Sequence, residues 1–260
     1  MPFAAVLAIR MAITAVFVLA ATLAAERAGP LVGGLIATLP LGAGPVYVFL
    51  AMDHDVQFIA DSAVTTLAIN AANVIFALAY AKFAQRNTLS VSLGGAFAIW
   101  LVLAIAIDSM PWTWGRAALA NLVVLPICLW LARPLRLTAV PRVPARWYEL
   151  LARAVMVALL VGVTVTLSFR IGAGSSGILA VFPIILISIM LILHRRVGGP
   201  PTAAVMANGV LGLVGFAIAA TALHFTALPF GSAIALTLAL SISVGWGLLV
   251  FGARRRGVPV

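Results

Sequence analysis

The sequence predicts an all-α, polytopic transmembrane helix bundle of about nine helices, built as two inverted repeats (helices 1–4 and 6–9) joined by helix 5. Three observations predict it. Of the 260 residues, 64% are hydrophobic and only 8% charged, and the mean hydropathy is +1.21, so there is too little polar material to cover a globular surface. Apolar runs of about 20 residues recur, the length that crosses a bilayer as a helix, whereas barrel strands would alternate over about ten. The stretch Gly29 to Pro45, GPLVGGLIATLPLGAGP, is echoed 143 positions downstream by Gly172 to Pro183, GAGSSGILAVFP.

The first run, 3–25, carries Arg10 ahead of an apolar segment ending in Leu23-Ala24-Ala25, which looks like a cleavable signal. The downstream copy argues against cleavage. With the same offset, Arg10 falls on Arg153, Arg27 on Arg170, Gly29 on Gly172, Gly34 on Gly177, Ala37 on Ala180 and Pro40 on Pro183, with eight identities in 31 ungapped positions from 10 to 40. The second run, 29–52, is interrupted by glycine and proline. The third, 56–84, is long enough to tilt or to start as late as Asp61. Runs 88–107 and 112–132 follow, the latter opening on Trp112 and Trp114, which suit a membrane interface. A basic, proline-punctuated linker spans 133–146. Runs 147–169, 173–194, 202–224 and 228–251 complete the second half, and with only nine residues after Phe251 no tenth helix is expected. The chain thus divides into 1–132 (first repeat plus connecting helix), 133–146 (linker) and 147–260 (second repeat), all within one membrane domain.

Charge sets the expected orientation. One side collects Arg27, Lys82, Arg86, Arg133, Arg136, Arg142, Arg146, Arg195, Arg196 and Arg254 to Arg256, and the other collects Asp53, Asp55, Asp108 and Arg170. Positive charge stays inside, so the N-terminus is expected outside and the linker and C-terminus in the cytoplasm. Five crossings separate Arg10 from Arg153, an odd number, which makes the halves inverted. The net charge of +10 is scattered between apolar spans, and this excludes a nucleic-acid face. Arginine in place of lysine and abundant alanine fit a bacterial chain, hence an inner membrane. Cys128 is a lone cysteine in an apolar segment and gives no disulfide.

Inverted repeats with broken helices at matching positions are the pattern of secondary transporters, in which interrupted helices present backbone groups to a midplane substrate. The expected substrate site is therefore Gly34, Thr38 and Pro40 on one side and Gly177 and Pro183 on the other. Asn70 and Asn208 would supply amides from helices 3 and 8, with Asn73 and Asn121 as further intramembrane amides. Packing by glycine and kinking by proline is the plainer alternative. Arg10 and Arg153 would attract an anion from opposite faces, or else reach to their nearer interfaces. Asp61 would couple transport to an ion, or else cap a helix start. Glu149, beside Trp147 and Tyr148, reads as an interfacial anchor. His54, His194 and His224 sit near helix ends, with no His-Glu pair at helical spacing, no nucleophile elbow and no phosphate loop, so no enzyme, metal site or cofactor is expected.

Gly34-Leu35-Ile36-Ala37 with Pro40, and Gly177-Ile178-Leu179-Ala180 with Pro183, resemble the glycine-to-proline helix of the small GlpM-type bacterial inner-membrane proteins, of which this chain would be a duplicated relative. The resemblance implies no substrate and no catalytic residue. The arrangement is also similar in outline to inverted-repeat carriers of the bile-acid-transporter type. The function expected is a secondary transporter of a small metabolite, an organic anion, by alternating access, with membrane lipid and substrate as partners and a homo-oligomer compatible with the sequence. The alternative is a non-transporting subunit or scaffold in envelope biogenesis. A wet cavity at helices 2 and 7 would favour the first and a dry core with helix-to-helix pairing the second.

Overall fold

A computed structural model describes residues 3–27, 41–141 and 146–256. Within them the chain forms α1 (Phe3–Arg27), α2 (Ala43–Asp53), α3 (Val56–Phe83), α4 (Leu89–Asp108), α5 (Trp114–Ala132), a 3-10 turn (Arg133–Leu137), α6 (Trp147–Ala180), α7 (Ile184–Val197) and α8 (Gly199–Arg255). No strand occurs among the described residues. Six helical stretches there are long and apolar enough to cross a membrane, and α2 is a shorter apolar helix. This is the make-up of a helical bundle and is compatible with a multi-pass membrane protein. Gly34, Thr38 and Pro40 lie outside the described residues, as do positions 142–145 of the linker.

Two of the six stretches, Trp147–Val197 and Gly199–Ala253, are too long for one crossing. At about 1.5 Å per residue each would reach well beyond the ~30 Å of a hydrocarbon core. Glycine folds them back. Gly172 (φ 75°, ψ 179°) and Gly231 (φ 81°, ψ 160°) adopt backbone angles that a side chain resists, and Pro229 withdraws a donor just before the second reversal. The reversals show in what meets across them. Glu149, at the start of α6, pairs with Arg196, at the end of α7, at 3.0 Å. Trp246 Nε1 donates to the Leu211 carbonyl at 2.7 Å, closing the two arms of α8, 199–230 and 232–255, against each other.

The centre belongs to α3, and composition explains why. Its sequence from Ala60 through Asn73 is dominated by Ala, Ser and Thr, whose small side chains let neighbouring backbones approach closely where dispersion and hydrogen bonds must hold helices together. Thus a side chain on Gly177 would overlap the Ser62 carbonyl, and one on Gly199 would overlap the Ala84 carbonyl. The 199–230 arm runs antiparallel to α3 along its whole length: His224 Nδ1 donates to the Ala60 carbonyl (2.8 Å), Asn70 Nδ2 to the Leu213 carbonyl (3.1 Å), and Gly199 meets Ala84. α1 likewise runs against α6, since Met11 faces Gly162 while Val18 packs with Ala154 and Val157.

The start of α3 differs from one expectation. Asp55 is the cap, accepting the Phe58 N–H at 2.8 Å, and Asp61 sits a turn and a half further in, exposed, accepting from Gln57. An aspartate directly before the first apolar turn satisfies an orphan N–H that Asp61 is too late to reach.

Candidate functional site

The site grows from what Pro183 removes. Proline offers no N–H, so the helix entering it stops at Ala180 and resumes at Ile184. The freed carbonyls would be costly in hydrocarbon if left bare. Leu179 O is taken by the Phe182 N–H at 3.1 Å. Gly177 O accepts from Thr66 Oγ1 at 2.8 Å, and Val181 O accepts from Asn73 Nδ2 at 2.9 Å. Thr66 and Asn73 are seven residues, two helical turns, apart on α3, so one face of α3 braces a carbonyl before the break and one within it.

Behind each brace stands a further donor. Trp100 Nε1 donates to Asn73 Oδ1 at 2.7 Å, and the Phe182 ring meets the Trp100 indole edge-on with centroids 5.1 Å apart. Since the Thr66 proton is committed to Gly177, the Tyr47 hydroxyl must be the donor in its 2.7 Å bond with Thr66. A directed relay, Tyr47 to Thr66 to Gly177 O, therefore links α2 through α3 to the last turn of α6.

The structure thus places Gly177 and Pro183 of the expected site together and adds Tyr47, Thr66, Asn73 and Trp100 around them. Asn70 is fully buried but reaches elsewhere: its amide donates to Asn121 Oδ1 (2.8 Å) and Leu213 O, while Asn121 donates to Leu67 O and Ala117 O. Asn70 Oδ1 is buried without a partner, as are Ser176 Oγ and Thr164 Oγ1. Asn208 is half-buried and donates to Ala204 O at 2.8 Å. Arg10 is held by Asp53 through both carboxylate oxygens, one at 2.7 Å, with its guanidinium over the Phe49 ring, so its charge is balanced. Arg153 is half-buried and engaged.

Two cavities adjoin this framework. One of about 310 Å³ is bordered by Asp61, Thr65, Asp108 and Ser175, with Ser175 donating to Asp108 at 2.6 Å. The other, about 790 Å³, lies between α1, α2, α3 and both arms of α8, with Tyr47 and Thr66 in its wall. In the loop after α2, His54 Nε2 bonds Ser168 Oγ at 2.8 Å and stacks on Phe58; burial holds its pKa below the usual value, partly offset by Asp53 and Asp55. Among the described residues no three His, Cys, Asp or Glu gather closely enough to hold a metal ion.

No family model, curated protein or solved structure matches this chain.

Proposed function

We propose that the chain is an inverted-repeat secondary carrier of the bacterial inner membrane, with nine crossings, its N-terminus outside and its C-terminus in the cytoplasm, moving a small organic molecule by alternating access at the broken helices. The observation that carries the reading is the pattern of self-matched helix contacts. In a two-fold arrangement, a contact between residues i and j implies a second contact between their equivalents. Val18 packs with Ala154; their equivalents at the 143-residue offset are Val161 and Met11, and Met11 lies against Gly162, the residue next to Val161. A residue on the axis must touch its own equivalent, and the Cβ position of Gly42 lies 3.5 Å from Ile185. The paired helices are antiparallel, which is the relation an inverted repeat calls for and so supports the reading.

Asp61, sharing its cavity with Asp108, is the coupling residue on this reading. A scaffold is the second reading, and what favours it is that the carbonyls at the α6–α7 break are already paired within the protein. Uptake by vesicles holding the purified chain separates the two. Accumulation of labelled organic acids driven by a proton or sodium gradient, reduced at least ten-fold by Asp61→Asn, is the expected result. No flux for any of a broad panel, with the protein folded, would leave the scaffold.

A further inference from the structure

We propose that the 790 Å³ cavity takes the hydrocarbon chain of a membrane amphiphile, an inference that rests on the carrier reading and names its substrate class. The cavity falls within the size of small-ligand sites, and its wall is almost wholly apolar, with Phe17, Val48, Phe216, Leu223, Leu236 and Leu240 in it. A small hydrophilic ion would have to leave water for that wall without replacement hydrogen bonds. A hydrocarbon chain meets no such barrier.

The rim shows where the occupant enters. Phe17 (45%), Met52 (66%) and Leu240 (43%) are all substantially exposed on the flanks of apolar helices, so the cavity opens sideways between α1, α2 and the 232–255 arm. In a membrane that opening faces lipid.

Polar groups mark it as more than a packing gap. Ser243 lines the cavity and is only 6% exposed, and Ser232 stands in the same wall. A hydroxyl in an otherwise apolar wall offers both a donor and an acceptor to an oxygen of the ligand. At one edge, Met52 adjoins Asp53 in sequence and Thr14 lies one turn from Arg10, so the Arg10–Asp53 pair stands next to the cavity's lining. Through Tyr47 and Thr66 the wall is hydrogen-bonded to the helix break, which gives an occupant a route to influence it.

The test uses the full chain with Phe216→Trp as a reporter inside the cavity, reconstituted in vesicles of dibrominated phosphatidylcholine, whose bromines quench indole on contact. The emission added by the reporter should fall at least two-fold, and filling the cavity with Ala220→Phe or Ala219→Phe should restore it. In a second arm, unbrominated vesicles are doped with dibromostearic acid. Quenching there names a free fatty acid as occupant, and quenching by the phosphatidylcholine alone names a bilayer phospholipid; either supports the inference. Reporter emission untouched in both arms, or quenching that persists in both filled variants with unchanged circular dichroism and Tm, would overturn it. The readout is binding, so its failure with gradient-driven uptake intact removes only the substrate class, whereas quenching without flux removes the carrier.

Discussion

Asp53 and Arg196 stand 143 residues apart at matching ends of α2 and α7 and carry opposite charge. Each is paired back onto the long helix before it, Asp53 to Arg10 of α1 and Arg196 to Glu149 of α6. The charges exchange places because the proposed inversion puts one helix end outside and the other in the cytoplasm, where arginine is favoured. Reversing Arg10 alone leaves two carboxylates facing each other where little water reaches, a loss of about 3 kcal/mol by the measure of other buried pairs stripped of a partner. Arg10→Glu should therefore lower Tm in detergent by several degrees, and the double variant Arg10→Glu/Asp53→Arg should recover most of it. A double variant no better than the single one would show that the pair contributes nothing specific.

Gly177 is held against the α3 backbone. Gly177→Ala forces a methyl group onto the Ser62 carbonyl and should cost about 1–3 kcal/mol by overpacking. Gly94→Ala, where nothing lies within 4 Å, should be neutral or slightly stabilising as helix propensity rises. Thermal unfolding of the two variants side by side checks the contrast.

Asn73 serves two elements at once. Asn73→Leu strips the partner from both Val181 O and the Trp100 N–H, and each buried orphan costs about 1–3 kcal/mol. Ser241→Ala removes an exposed bond to its own helix, from the Ser241 hydroxyl to the Thr237 carbonyl, and should be milder. Comparable Tm losses for the two would refute the bracing role of Asn73.

Topology is read directly by reporter fusions. Insertions after residues 140 and 260 should both report a cytoplasmic location. A periplasmic signal at either one would undo the nine-crossing arrangement.

His54 makes stability depend on pH. Its folded pKa is lowered by burial, so the folded protein binds this proton less readily than the unfolded chain does. Its contribution is full above the unfolded value, about 6.5, and shrinks as pH falls through that value toward the depressed folded one. Tm measured from pH 8 to 5 should fall more steeply for the wild type than for His54→Gln.

Much of the helix layout was legible because membrane spans are written in long apolar runs, and because Gly172 and Pro183 mark breaks by removing, respectively, a side chain and a donor. Composition also marked Asn70 and Asn73 as amides needing partners. Which partner each takes was not legible, since that depends on the rotation of α3 about its own axis, and a helix whose small and polar residues are spread over every face carries no sign of it. Glu149 read as an interfacial anchor because its partner, Arg196, lies 47 residues away across a reversal. Tyr47 and Trp100 lie within apolar runs and belong to no motif; their polar atoms acquire a role only when another helix comes within 3 Å.

The reversal at Gly231 bears on how the protein is made. The turn Leu228-Pro229-Phe230-Gly231-Ser232 contains no charged residue, so the arms on either side of it share no hydrophilic loop that could wait in water between two separate insertion events. On the membrane reading the two arms enter the bilayer as one hairpin, closed by the Trp246 bond to the Leu211 carbonyl. A chain truncated after Gly231 would keep the 199–230 arm against α3 but lose the 232–255 arm and its Trp246 bond to the Leu211 carbonyl.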